Sequence, residues 1–244
     1  MKRLLTIFLL LITVASFGQP LCNAILLKSQ VASFTPPTAN LLGDWDASNT
    51  STITIATGVS QWNDANGSGH NLLQSTGANQ PILSGSGSSS TITFNGTSQF
   101  MQAAFTLTAF PTTMYLVVDL ISYSGIRFIV DGKNDQSMGI LTISPNINLQ
   151  QSGNFGAAQA YSIGSYKVFT ANYVAGTSTL SINDGTKTTL SMYANAPGGI
   201  TIGNEGGGGG LTNIAVKEIL LYNVSHSNAT QTSIVSYLRT KWGI

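Results

Sequence analysis

From Thr52 to Tyr222 the chain is a string of short β-prone runs, each cut off by Gly, Pro, Asn or Asp, and only its last residues carry a helical period. A helical bundle needs apolar residues every three to four positions over long stretches, and a doubly wound sheet needs helices between its strands. Neither is present. What remains is an antiparallel all-β fold, a two-sheet sandwich of the jelly-roll kind with one short C-terminal helix. The runs are Thr52–Ile55, Thr91–Phe94 before Asn95-Gly96, Thr113–Ile121, Arg127–Val130 before Asp131-Gly132, and Met138–Ile143 paired with Asn146–Gln150 around Pro145. Tyr166–Val174, Ser178–Ile182, Thr186–Met192, Gly199–Ile202 and Ala215–Tyr222 follow. Thr113–Ile121 is apolar without alternation, the pattern of a strand covered on both faces. Asn183-Asp184-Gly185 is expected to close a tight hairpin, with Asp and Gly at positive φ.

The helix is expected from about Asn228 to Lys241. Ser227 stands where a hydroxyl caps the first free N–H groups. Ile234, Leu238 and Trp242 recur every four residues and place one apolar stripe on one side, and Gly243 ends the element.

Met1-Lys2-Arg3 followed by the apolar stretch Leu4–Phe17 has the anatomy of a secretory signal, too short to span a bilayer comfortably. Residues 1–18 are assigned to it, with a second cleavage point after Ala24 and an uncleaved anchor as alternatives. Residues 19–40 form a leader containing Pro36-Pro37, and 41–244 form one domain. The expected location is therefore secreted or cell-surface, with no membrane span once the signal is removed. Cys22 is the only cysteine, so no internal disulfide is available, and Pro20-Leu21 before it fit a lipid attachment site badly. Charged residues make up 8% of the chain, against about 25% in ordinary soluble domains. Without Lys2 and Arg3 the formal charge falls from +1 to −1, which excludes the positive field that nucleic acid requires. The surface is kept wet by Ser, Thr, Asn, Gln and Gly. Five Asn-x-Ser/Thr sites, at Asn49, Asn66, Asn95, Asn223 and Asn228, are what chance gives in so Asn- and Thr-rich a chain.

Four segments resemble one family. Leu42–Ala47 is similar to an opening strand of the form Leu-x-Leu-Trp-x-Asp-Ala. Trp62–Asn71 resembles Trp-x-Asp-x-Ser-Gly-x-Gly-Asn-x, with Asn66 where Ser is usual. Thr93-Phe94-Asn95-Gly96 resembles Val-x-Phe-Asp-Gly. Ile219–Gly243 resembles Ile-x-x-Tyr-Asn followed by a helix ending Tyr-Leu-x-x-Lys-Trp-Gly. Together they resemble the laminin-G-like subset of the concanavalin A-like lectin/glucanase superfamily. The resemblance implies a jelly roll that usually binds and seldom catalyses, with Trp45, Trp62 and Trp242 in its core. It departs from the pattern at Thr230, where an acid usually completes the helix cap, so the reciprocal capping bond is expected to be lost.

The chemistry of catalysis is missing from the sequence. The superfamily's hydrolases carry Glu-x-Asp-x-x-Glu on one strand, and retaining glycosidases need two carboxyls about 5 Å apart. This chain has two glutamates, Glu205 and Glu218, neither with an acid within three positions. His70 and His226 have no Gly-x-Ser-x-Gly partner, and Gly206–Gly210 is followed by no Lys-Ser/Thr, so it reads as a mobile loop rather than a phosphate cradle. The chain is expected not to be an enzyme. Calcium is the one metal the loops suit, through Asp64, Asn66 and Asn71, or through Asp131, Asn134 and Asp135. Hydrogen bonding that fixes each loop is the alternative. For a sugar ligand the candidates are Tyr123, Tyr161, Tyr193 and Asn195, as aromatic faces and an amide in loops. Two functions stay open: a binding module for glycan or another cell-surface ligand, and a self-associating structural or adhesion subunit of a surface layer, filament or virion.

Overall fold

The computed structural model describes residues 34–108, 110–134, 136–151, 153–191 and 196–244. The expected signal and most of the leader lie outside them. In chain order the strands are β1 (Leu41–Asp46), β2 (Ile53–Ile55), β3 (Val59–Trp62), β4 (Leu72–Leu73), β5 (Ile82–Ser84), β6 (Thr91–Asn95), β7 (Met101–Ala104), β8 (Thr112–Ser122) and β9 (Ile126–Gly132). β10 (Gly139–Ile143), β11 (Asn146–Gln151), β12 (Asn154–Ala160), β13 (Lys167–Tyr173), β14 (Ser178–Ile182), β15 (Thr188–Leu190), β16 (Gly199–Ile202) and β17 (Asn213–Tyr222) complete the set, and α1 spans Asn228–Trp242.

They form two antiparallel sheets. One runs β15-β14-β13-β8-β17-β6-β5, with β1 also on β17, and the other runs β12-β11-β10-β9-β16-β7-β4-β3-β2. β17 is the axis of the first sheet: β8 takes one of its edges along the whole length, while β6 pairs with Asn213–Val216 and β1 with Glu218–Tyr222 on the other. Between the layers lie Trp45, Trp62, Phe94, Met114, Leu116 and Phe169, all fully buried. β8 is buried on both sides from Thr112 to Val118, as its unbroken apolar run requires.

α1 lies against this sheet, in contact with β13 and with Glu218 of β17. Ile234, Val235, Leu238 and Trp242 are its buried apolar residues, and the Trp242 indole donates to Glu218 Oε2 on β17 at 2.6 Å. Ser227 Oγ accepts from the Thr230 N–H at 3.2 Å, and Thr230 spends its own hydroxyl on Ser227 Oγ. Gly243 then takes φ +65°, and its N–H closes the helix on Arg239 O.

Three local expectations change. β9 does not end before Asp131-Gly132 but runs through both residues. The β14–β15 turn places positive φ on Asn183 and Asp184 rather than on Gly185, with the Gly185 N–H donating to Ile182 O. Asn tolerates that region almost as well as Gly. β12 is a full strand that polarity hides, because Gly156 and the alanines around it give no alternation.

Candidate functional site: a polar cleft at one end of the sandwich

Where the chain crosses from β8 to β9 it passes from one sheet to the other through Tyr123-Ser124-Gly125. Gly125 supplies the positive φ, +68°, that the crossing uses. Beside it lies the β6–β7 turn at Asn95-Gly96-Thr97 and the start of β17 at Asn213. These segments enclose a cleft of about 320 Å³ lined by Tyr123, Arg127, Asn95, Thr97, Ser122 and Asn213 among others. The strand register fixes its floor, since Asn213 sits opposite Asn95 on one side and Ser122 on the other. The Asn213 amide donates to Ser122 Oγ at 3.1 Å, and Asn95 Oδ1 accepts the N–H groups of Thr97, Ser98 and Gln99. Gly96 is obligatory here: at φ +71° a Cβ would stand 2.8 Å from the Asn213 nitrogen. Tyr123 and Arg127 are both half-buried. The cleft therefore offers one aromatic face, one guanidinium and several amides and hydroxyls on pinned strand ends. That is donor-rich, rigid and suited to a ligand rich in hydroxyl groups.

Of the expected ligand residues, Tyr123 lines this cleft. Tyr161 does not: it is 8% exposed and its hydroxyl is taken by the Leu120 N–H and by Ser165 O, so it is a core residue. Tyr193 and Asn195 lie outside the described residues. Arg127 and Asn213 were not foreseen. The available signal was an isolated Arg between Ile126 and Phe128, a charge where a strand reads as apolar. A larger groove of 480 Å³ separates α1 from the β14–β15 turn, flanked by Asp184 and Arg239, but no aromatic side chain lines it.

The two loops considered for calcium are closed by protein donors. Asp64 Oδ1 accepts the N–H groups of Asp44 and Asn66, and Oδ2 accepts the N–H and the hydroxyl of Ser68, at 2.5–3.1 Å. Asn71 Oδ1 accepts the Asp64 N–H, and Asn66 Oδ1 accepts from Ser68. Each of these oxygens already accepts from protein N–H or O–H groups that fix the loop. Asp131 is fully buried and its carboxylate accepts four N–H groups, from Gly132, Gln136, Met138 and Gly206. Burial pushes it up to about 6 against the pull of those four donors. Asn134 donates to Ala196 O, and Asp135 lies outside the described residues. Among the described residues, no three His, Cys, Asp or Glu side chains gather as a metal site.

Gly206–Gly210 is packed at its two ends rather than being the mobile loop expected of it. A Cβ on Gly206 would stand 2.3 Å from Gly132 O, and one on Gly210 would stand 2.4 Å from the Phe128 ring. Only these two ends of the run lie against β9, and residues 207–209 between them are exposed. Glu205 meanwhile accepts from the Gln136 amide at 2.9 Å.

Glu218 is sealed beneath α1. Lys241 Nζ stands 2.7 Å from its carboxylate and 2.8 Å from that of Asp46. Burial lifts Glu218 to about 7, with Lys241 opposing it. These two carboxylates are held by one ammonium and an indole, so neither faces open space. His70 stacks on Phe105 and His226 meets the Tyr115 hydroxyl at 2.9 Å, both half-buried rather than exposed. No described helix is long and apolar enough to cross a membrane.

No family model matches this chain, and no curated protein matches it in sequence. Solved structures do match in shape. A Trypanosoma rangeli sialidase complex superposes with a TM-score of 0.62 at 10% identity, over 84% of this chain and 33% of the sialidase. The botulinum neurotoxin type G receptor binding domain gives 0.62 at 11% identity, over 82% of this chain and 51% of that one. The binding domain of Paraclostridial Mosquitocidal Protein 1 gives 0.60 at 14%, over 82% and 52%. The chain thus spans about a third to a half of these neighbours, which share its β-sandwich and include both an enzyme and binding domains.

Proposed function

We propose that this chain is an exported, non-catalytic binding module of the laminin-G-like, concanavalin A-like type, which recognises a glycan or another cell-surface ligand in the Tyr123–Arg127 cleft. The observation that carries the reading is the cleft's construction, an aromatic face beside amides and hydroxyls that strand pairing holds in place. Binding sites of this kind need few moving parts, because the ligand's hydroxyls meet donors already oriented. Two of the structural neighbours are described as binding or receptor-binding domains, which agrees with the reading. The non-catalytic part rests on the state of the acids: Asp131 and Asp64 are saturated by N–H groups, and Glu218 is paired beneath α1. Export rests on the signal-like residues 1–18.

A glycan-array screen of the secreted chain, run alongside Tyr123→Ala, tests it. Retention on one sugar class, lost with Tyr123→Ala, is the expected result. Absence of binding across the array, together with concentration-dependent oligomers in light scattering, would replace this reading with that of an assembly subunit.

A further inference from the structure

Resting on the cleft as a glycan site, we infer that its ligand is an acidic saccharide, one whose carboxylate or sulfate group is held by Arg127. The chain is poor in charge, with 8% charged residues, yet one guanidinium lines this cleft and no carboxylate does. The ion pairs of the described residues both belong to Lys241, at the far side of β17. Arg127 is half-buried. Its Nη1 donates to Ile126 O at 2.8 Å, which fixes the plane of the group. A guanidinium carries five N–H donors in a rigid fork, so this anchoring leaves most of the fork to a planar or tetrahedral anion. Asn213 and Ser122, locked to each other across the cleft floor, stand where ring hydroxyls beside that anion are met. Tyr123 supplies the apolar face for the sugar C–H groups. An anionic ligand supplies the counter-charge that the residues lining the cleft do not. A neutral sugar does not.

The test is calorimetric binding by the full chain to three hexasaccharides of one backbone: the uronate form, its fully methyl-esterified neutral form, and a sulfated neutral form. Arg127→Gln and Arg127→Lys are measured beside Tyr123→Ala, with thermal melts as the folding control. The wild-type chain is expected to bind the acidic forms about tenfold or more tighter than the ester, the worth of one charge-assisted contact. Arg127→Gln is expected to erase that preference, so that acid and ester bind alike, while Arg127→Lys restores part of it without the bidentate geometry. Equal binding of acid and ester by the wild type, or an acid preference that survives Arg127→Gln, overturns the assignment while the glycan reading stands. No binding of any form overturns both.

Discussion

Replacing Asp64 with alanine measures directly what holds the loop between β3 and β4. The carboxylate accepts four donors: the Asp44 N–H at 2.8 Å, the Asn66 N–H at 3.1 Å, and the Ser68 N–H and hydroxyl at 2.9 and 2.5 Å. In Asp64→Ala the Asp44 N–H, inside β1, is left without a partner, and an orphaned buried donor costs about 1–3 kcal/mol. The other three turn toward water and lose about 0.5–1 kcal/mol each. The sum is about 2.5–6 kcal/mol. For a domain of this size each kcal/mol moves the melting temperature by roughly 2–4 °C, so Asp64→Ala is expected to melt about 10 °C lower. Asp64→Asn keeps Oδ1 for Asp44 and Asn66 but sets an amide against the Ser68 N–H, and an intermediate loss of about 4 °C is expected. Scanning calorimetry of the three proteins, with saturating calcium and with chelator, decides the matter. If N–H groups satisfy the carboxylate, neither addition moves the wild-type melt. A bound calcium present at a hundred times its Kd would add about 2.7 kcal/mol. A chelator-dependent fall of the wild-type melting temperature, or an Asp64→Ala loss seen only with calcium, would refute the account.

Three further outcomes follow from the packing. Gly43→Ala puts a methyl group 2.2 Å from the ring of the fully buried Trp45, so urea unfolding is expected to show a loss of about 1–3 kcal/mol, and an unchanged midpoint would contradict that contact. Lys241→Met strands the Glu218 carboxylate beneath α1 and is expected to cost about 3–5 kcal/mol. Adding Glu218→Gln should recover much of it, and strictly additive effects in the double-mutant cycle would show that the two groups do not depend on each other. Burial sets Asp131 at about 6, above its usual value of about 3.9. The folded state therefore binds that proton more tightly, and the linked stability is fully present below the unfolded value and lost as the pH rises through 6. Unfolding midpoints should climb on acidification through that window, and the climb should flatten in Asp131→Asn. A wild-type profile falling toward acid would mean that the four N–H groups outweigh burial.

The layered architecture was legible in the sequence because two independent periods agree. The unbroken apolar run of β8 and the four-residue stripe Ile234-Leu238-Trp242 each demand a cover, and both join one buried core. Ser227, Gly243 and Asn95-Gly96 announced their positions because caps and turns depend on local chemistry alone. The cleft was harder to see. Asn95, Tyr123, Arg127 and Asn213 are spread over more than a hundred positions, and only the pairing of β6 and β8 with β17 unites them. Tyr161 misled for the opposite reason. A tyrosine after small residues looks like a loop tip, but its hydroxyl finds the Leu120 N–H inside the sandwich, and nothing local signals that partner. Gly206–Gly210 misled because a glycine run has the same composition whether its ends swing free or press on a neighbouring strand, as Gly206 and Gly210 do.

β17 has two claimants on one edge and a third along the other, which gives the chain a late keystone. Until Asn213–Tyr222 is delivered, β1 and β6 have no neighbour on that side, and β8 exposes a row of unpaired amides and carbonyls. Three strands, β1, β6 and β8, therefore share one pairing partner, so a defect in β17 unpairs one edge of all of them at once.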